Sequence, residues 1–315
     1  MASNLEQHAR TAILGNGYAR ADSTGSYLWR IALPSVEVVG QEQLDAVLKN
    51  DRAALRFIRR QAQRDASHLV GSAVAGRATM LVTPEWAVPE QQLSWLFARS
   101  SQHQMLTIAG EAPALRGGKY SNRLWTGLPL KDEAGHKACL VPPPREKRYL
   151  SPHEEAALAL AKVQRTAPTS SAEIYSWRGV TLASLVCFEF ADIQERERLR
   201  PAADLVTVSA WNTDWRYFAA VQESTTRDNY CWTCCVNTSQ FPGTLLMRPT
   251  RSALSVAAAA HGSNQPAVLI RDVDMLPVVA ARAVGRRPSE ITGLPTPADG
   301  IDVKQYTAVP PTFRS

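Results

Sequence analysis

Residues 173–189 read Glu173-Ile-Tyr-Ser-Trp177-Arg178-Gly179-Val180-Thr-Leu-Ala-Ser-Leu-Val186-Cys187-Phe188-Glu189. Two β-rich runs, Glu173–Trp177 and Val180–Phe188, flank the turn pair Arg178-Gly179, so the segment predicts a hairpin. The second strand carries a thiol at its end, followed by a carboxylate. Ile193–Leu199 then reads as a helix and Asp204–Ser209 as a buried strand. A hairpin followed by a helix and a further strand points to an α/β layered fold with a mixed sheet system.

The same alternation extends outward in both directions. Strands are expected at Leu28–Val39, Thr79–Val82, Met105–Ala109, Tyr230–Asn237, Gly243–Met247 and Ala267–Val273, and a strand pair at Asn122–Leu128 and Ala138–Val141. Helical spacing marks Leu55, Ile58 and Ala62, and its register runs back to Leu44, Val47 and Leu48. Gln91–Ser101 and Phe218–Asp228 are the other helices. No internal repeat and no Pro/Gly/Ser linker divides the chain, which implies one domain over residues 28–283. Residues 1–27 read as an N-terminal arm and 284–315 as an extended, proline-containing C-terminal tail.

Of the 315 residues, 45% are hydrophobic and 20% charged, which excludes wholesale disorder. No apolar run approaches the length that crosses a bilayer, and the N-terminus shows no apolar signal segment. An odd count of five cysteines without a secretory signal points to reduced thiols and a cytoplasmic protein. The net charge is +6, from 35 basic and 29 acidic residues. The charges are interspersed, as in Glu195-Arg196-Glu197-Arg198, so they read as a solvated face rather than a nucleic-acid surface.

Three segments place a reactive side chain just beyond a strand or in an irregular stretch: Thr83-Pro84-Glu85-Trp86, Lys147-Arg-Tyr-Leu150-Ser-Pro152-His-Glu154-Glu155, and Leu185-Val-Cys187-Phe188-Glu189. Sites in open α/β folds collect at the carboxyl ends of strands, so the three can converge. A thiolate is a strong nucleophile, a nearby ammonium favours it by charge, and a carboxylate can take up the thiol proton. Singly, each segment has a plainer reading: a core cysteine, a carboxylate at a helix start, a surface charge run.

Together, in the order Glu, Lys, Cys, they resemble the nitrilase, or carbon–nitrogen hydrolase, superfamily. Tyr120-Ser-Asn122, Asp204–Trp211 and Asn237-Thr238 add to the resemblance. Asp228 and Thr225 depart from the family's Arg-Ala-x-Glu-Asn stretch, and the usual Gly-Gly-Ser segment is not recognisable in 241–257. The resemblance implies a single-domain α/β fold, a four-layer α-β-β-α sandwich, which usually pairs with a second copy; Ile193–Leu199 and Phe218–Asp228 are the candidate interface of a homodimer or larger homo-oligomer. It also implies cleavage of a non-peptide C–N bond, an amide or carbamoyl group of a small molecule, through a cysteine thioester. Cys187 is then the nucleophile and Glu85 the proton carrier. Lys147 and the backbone N–H of Phe188 hold the oxyanion, and Glu155 orients Lys147. Trp86 and Trp211 are expected to line the pocket together with Phe188.

Other readings stay open at this point. On the same fold, an N-acyltransferase would pass the acyl group to an amine, and a nitrile hydrolase would act on a nitrile. A catalytically idle interaction protein is a further class. Cys231-Trp-Thr-Cys234-Cys235 has C-x-x-C spacing but lacks a second pair, so no metal is expected. Gly15-Asn-Gly17 and Gly110–Lys119 fail the phosphate-loop patterns, so no cofactor is expected.

Overall fold

The computed structural model describes residues 27–283, apart from 39, 132–133, 169–171, 251–254 and 263–266. The expected arm, apart from Tyr27, and the expected tail lie outside the described residues.

Strand β1 (Leu28–Ser35) is followed by helices α1 (Gly40–Leu48) and α2 (Arg52–Ala75), strand β2 (Met80–Val82), α3 (Glu90–His103) and β3 (Leu106–Gly110). A short hairpin, β4 (Ala114–Arg116) and β5 (Lys119–Ser121), precedes β6 (Arg123–Lys131), β7 (Lys137–Leu140), β8 (Arg145–Glu146) and α4 (Pro152–Ala161). The second half runs β9 (Ile174–Trp177), β10 (Val180–Val186), a 3-10 turn at Cys187–Ala191, α5 (Ile193–Leu199), β11 (Leu205–Ser209), α6 (Trp215–Asp228) and β12 (Trp232–Val236). Then come β13 (Thr244–Met247), β14 (Val256–Ala260), β15 (Ala267–Asp274) and α7 (Leu276–Ala283).

Two mixed sheets result. One has the order β15-β1-β2-β3-β6-β7, with β8 also paired to β6, and the other the order β14-β13-β12-β11-β10-β9. In the first, β1, β2 and β3 are parallel; in the second, β10, β11 and β12 are parallel. Strand alternation sorts the core. Ile31, Leu33, Met80, Val82, Leu106 and Ile108 pack with Leu182, Leu185, Val206, Val208, Cys234 and Leu246 of the second sheet. The intervening Ala32, Leu81 and Ala109 face the other way, against Leu44, Leu69, Ala73, Leu93 and Leu96 of α1, α2 and α3. On the far side of the second sheet, Gln222 of α6 donates to the carbonyls of Thr233 and Leu245 at 3.1 and 2.9 Å.

The β9–β10 hairpin forms as the sequence predicts. Arg178 and Gly179 both take positive φ, 50° and 75°, the requirement of a two-residue turn that matches strand twist. The continuous helical register expected from Leu44 to Ala66 is broken instead. Asn50 turns left-handed, and the Asp51 carboxylate caps α2 by accepting from the N–H groups of Ala53 and Ala54, both at 3.0 Å. Two strands in the 111–121 loop, together with β14 and α7, are additions to the expected elements.

Candidate active site

The parallel strands end together. Val186, Ser209 and Val236 stand in register, and Val82 pairs with Ile108 in the other sheet, so the residues that follow them gather at one end of the molecule. Cys187 follows β10 directly and begins the 3-10 turn with φ 43°, a left-handed conformation rare for a residue with a Cβ. Its turn is held by Glu189, whose Oε2 accepts the Val186 N–H at 2.8 Å. The same carboxylate grips the Arg145 guanidinium bidentately at 2.8 and 2.6 Å, and accepts the Arg148 N–H at 2.5 Å. Glu189 therefore ties the cysteine turn to the segment that carries Lys147.

Glu85 lies in the loop after β2 and Lys147 directly after β8, both 2% exposed. Lys147 Nζ donates to Glu85 Oε1 at 2.8 Å and to Glu154 Oε2 at 2.6 Å. Asn122 Nδ2 donates to Glu85 at 2.8 Å and to Glu154 Oε1 at 3.0 Å, and the Tyr120 hydroxyl also donates to Glu154 Oε1, at 3.0 Å. Backbone atoms of Trp211 join Glu85 to Cys187: its N–H donates to Glu85 Oε2 at 3.3 Å, and its carbonyl accepts from Cys187 Sγ at 3.4 Å.

Glu155, expected to orient Lys147, is exposed on α4, and Glu154 occupies the place beside the ammonium. The reason is the helix cap. Ser151 Oγ accepts the Glu154 N–H, and Glu154 Oε2 accepts the Ser151 N–H at 2.9 Å, a capping box that turns Glu154 inward. Adjacent helical residues point about 100° apart, so Glu155 faces solvent.

Lys147 favours the Cys187 thiolate by charge, as expected, but burial outweighs it. Burial, then the charge of Glu85, push the Cys187 thiol well above its ordinary value; Lys147 and the hydrogen bond to Trp211 pull it down by less. Cys187 is thus a neutral thiol at rest rather than a thiolate paired with Lys147. Burial dominates for Glu85 too and raises it, against the pull of Lys147. Burial also acts against the charge of Glu154, but Lys147 and the bonds from Ser151 hold that carboxyl below its usual range. Lys147 stays charged: desolvation is overcome by Glu154 and Glu85. Both carboxyls bond the ammonium, but burial favours the neutral form of Glu85 while Glu154 is held charged.

Trp86 and Trp211 stack with ring centroids 5.6 Å apart, and Phe241 meets Trp211 edge-on at 5.7 Å. Asn237 braces this loop, exchanging bonds with the N–H and carbonyl of Asn212 at 3.0 and 2.8 Å. The Phe188 side chain is partly exposed, beside the nucleophile in sequence. Cys231, Cys234 and Cys235 are buried and form no disulfide, and no group of three or more metal-binding side chains occurs among the described residues.

Comparison with solved structures places this architecture. An amidase from Nesterenkonia sp. superposes with a TM-score of 0.52 at 18% identity, covering 80% of this chain and 92% of that chain. A CN-hydrolase superfamily protein of Xanthomonas campestris, with an arsenic adduct in its active site, superposes with a TM-score of 0.58 at 14% identity, covering 81% and 94%. The chain has the nitrilase-superfamily fold. A variant of the Nesterenkonia amidase, similar at 18% identity with a TM-score of 0.52 over 80% of this chain and 92% of that chain, shows covalent addition of the acetamide moiety of fluoroacetamide at its active-site cysteine. Comparison of the sequence with protein-family models gives no match, and comparison with curated proteins gives none. Glu85, Lys147 and Cys187 each follow a strand, after β2, β8 and β10 respectively.

Proposed function

We propose that this protein is a cysteine-dependent carbon–nitrogen hydrolase acting on a small-molecule amide or carbamoyl compound. The observation that supports it most is the Trp211 backbone, which accepts from the Cys187 thiol and donates to Glu85, while Glu85 is ion-paired to Lys147. In this reading Glu85 takes the thiol proton as Cys187 Sγ attacks the carbonyl carbon. Lys147 and the Phe188 N–H hold the resulting oxyanion. Glu85 gives the proton to the departing amine, leaving a thioester, then takes a proton from the water that hydrolyses it to the free acid and returns that proton to the departing Cys187 thiolate. A neutral resting thiol suits this sequence, because the proton leaves only as the bond to carbon forms.

The reading includes a four-layer α-β-β-α order, with domain limits at 28 and 283, and a homodimer through α5 and α6, where Ile193 and Tyr217 are exposed apolar groups. It also places the protein in the cytoplasm; among the described residues no helix is long and apolar enough to cross a membrane.

Ammonia release from a panel of amides, carbamoyl compounds and nitriles, with Cys187→Ala as control, tests the reaction. Wild type should release ammonia and free acid from an accepted amide, and fluoroacetamide should add mass to the Cys187 peptide. Equal turnover by Cys187→Ala would reject the nucleophile. A new amide in place of free acid would move the assignment to acyl transfer.

A further inference from the structure

Asn122 immediately precedes β6 and stands beside Lys147, at the rung beyond the pairing of Arg123 with Glu146. Its N–H donates to Glu146 Oε2 at 3.3 Å, and its carbonyl accepts the Lys147 N–H at 2.8 Å, so its backbone is fixed. The side chain is buried, and its amide nitrogen, with two hydrogens, has two acceptors: Glu85 Oε1 at 2.8 Å and Glu154 Oε1 at 3.0 Å. Lys147 Nζ bonds the same two carboxyls, at Glu85 Oε1 and Glu154 Oε2. The amide cannot be turned over, because its oxygen would then face Glu154, which is held charged. In the orientation it takes, Oδ1 is buried and accepts from no described group, a cost that a role at the two carboxyls explains.

The two carboxyls are not bonded alike. Glu154 accepts five bonds, from Tyr120 and Asn122 on Oε1 and from Lys147 and the N–H and hydroxyl of Ser151 on Oε2, so both its oxygens are filled as acceptors. Glu85 accepts three among the described residues. The two short ones, from Asn122 and Lys147, fall on Oε1, and Oε2 takes only the 3.3 Å bond from the Trp211 N–H. Oε2 is therefore the oxygen with a lone pair to spare. It lies against the Trp211 backbone, whose carbonyl accepts from the Cys187 thiol.

We propose that Asn122 is a positioning residue for proton transfer: with Lys147 it holds Glu85 Oε1 as an acceptor and so confines the travelling proton to Oε2. The S–H bond of Cys187 breaks as an O–H bond forms on Oε2, which leaves the C=O of the neutral carboxyl at Oε1. The same proton then passes to the departing nitrogen. Without Asn122 the charged form of Glu85 would lose a stabilising bond, and Lys147 alone would oppose burial and the charge of Glu154. Cys187 and Tyr120 are the other titratable groups whose charge acts with that of Glu85. The inference rests on the amidase reading, and the two arms of the experiment fail separately.

The first arm is the pH profile of kcat/KM for whichever of acetamide, propionamide and benzamide the wild type hydrolyses. Asn122→Ala should move the acid limb up by about one pH unit, so that activity falls about tenfold on the acid side and less near the plateau. Tyr120→Phe removes a bond from Glu154 Oε1 but none from Glu85, and should leave the limb within about 0.3 unit, whatever its rate. A slower Asn122→Ala with an unmoved limb, or an equal shift in Tyr120→Phe, would overturn the assignment and leave the amidase reading standing. The second arm needs no turnover, and its wild-type spectrum needs no substitution at Asn122. Infrared difference spectra of wild type against Glu85→Gln, recorded as the pH falls, isolate the C=O band of protonated Glu85. A band at the low-frequency, hydrogen-bonded end of the carboxyl range, moving up in Asn122→Ala, is the expected result. A high-frequency, unbonded band, or one that Asn122→Ala leaves in place, would overturn the assignment. If none of the amides is hydrolysed, the amidase reading fails and the infrared band alone decides where the proton sits.

Discussion

Lys147 Nζ lies 2.6 Å from Glu154 Oε2, closer than its 2.8 Å to Glu85, and the same Glu154 oxygen accepts the N-cap N–H of α4. The ammonium is therefore held from the helix side by one carboxylate and from the loop after β2 by the other. Glu154→Ala should cost about 3–5 kcal/mol of stability, because it leaves a buried ammonium with half its compensation. Glu154→Gln, which keeps the shape, should still lower kcat. Glu155→Gln should match wild type in both. Urea denaturation and initial rates on the three variants check this, and a large effect of Glu155→Gln alone would reverse the assignment.

The Arg145–Glu189 pair joins two segments far apart in sequence and lies almost wholly buried. Removing either partner strands a charge, so Arg145→Ala and Glu189→Ala should each destabilise by about 3–5 kcal/mol. The double variant should cost less than the sum, as expected of residues that share one interaction. A double-mutant cycle by chemical denaturation that is strictly additive would contradict it.

Acid should act on stability through Glu154 and Glu189. Both are buried, yet both are held below their usual range, by Lys147 and Arg145 respectively. A depressed folded pKa gives stability that is present above the unfolded value, about 4.3, and lost as pH falls through the folded one. The Tm should therefore drop below about pH 4, and Glu189→Gln should flatten that drop. Glu85, raised mainly by burial, has the opposite sign: its contribution is lost as pH rises through its folded value. The acid limb of kcat/KM should correspondingly lie above the ordinary carboxylate range and move on substitution of Glu85.

Because Glu85 is among the groups that raise the Cys187 thiol, Glu85→Gln should have two opposed effects. Turnover should fall by at least about a hundredfold, in line with the loss of a general base. Alkylation of Cys187 by iodoacetamide at a fixed pH near 8 should become faster, since the thiolate is less disfavoured. Peptide mass spectrometry isolates Cys187 from the other buried thiols. Slower alkylation in Glu85→Gln would show that the charge of Glu85 favours the thiolate.

Gly40 opens α1 against the indole of Trp211, where an added Cβ would stand 2.2 Å from the ring. Gly40→Ala should push Trp211 aside at a cost of about 1–3 kcal/mol and disturb both bonds made by the Trp211 backbone. Near-ultraviolet circular dichroism and kcat should change together. Unchanged values for both would show that the ring gives way freely.

Much of this arrangement is readable from the chain because several of its central strands are short and fully buried. Leu205–Ser209 and Trp232–Val236 announce themselves as β-rich, largely apolar runs with a single amphipathic helix between them. β14 does not, since Val256-Ala-Ala-Ala-Ala carries little strand preference and is extended only by pairing with β13. The break between α1 and α2 was concealed by an apolar register that runs across it, although Asn50-Asp51 held the signal. Motif spacing points to Glu155 rather than Glu154. Ser151-x-x-Glu154 was the better guide, because a capping box fixes which carboxylate turns inward. Arg145 gave no sign of its role, since an ion pair across the fold leaves no trace in local spacing.

The φ of 43° at Cys187 carries a last implication. A left-handed backbone is a natural home for glycine, and a side chain there holds a conformational cost of about 1–2 kcal/mol. Were robustness the sole demand on this corner, a residue without a Cβ would serve it better. The tight bend instead presents sulfur at its apex, so resilience to heat and possession of the thiol pull this one position in opposite directions.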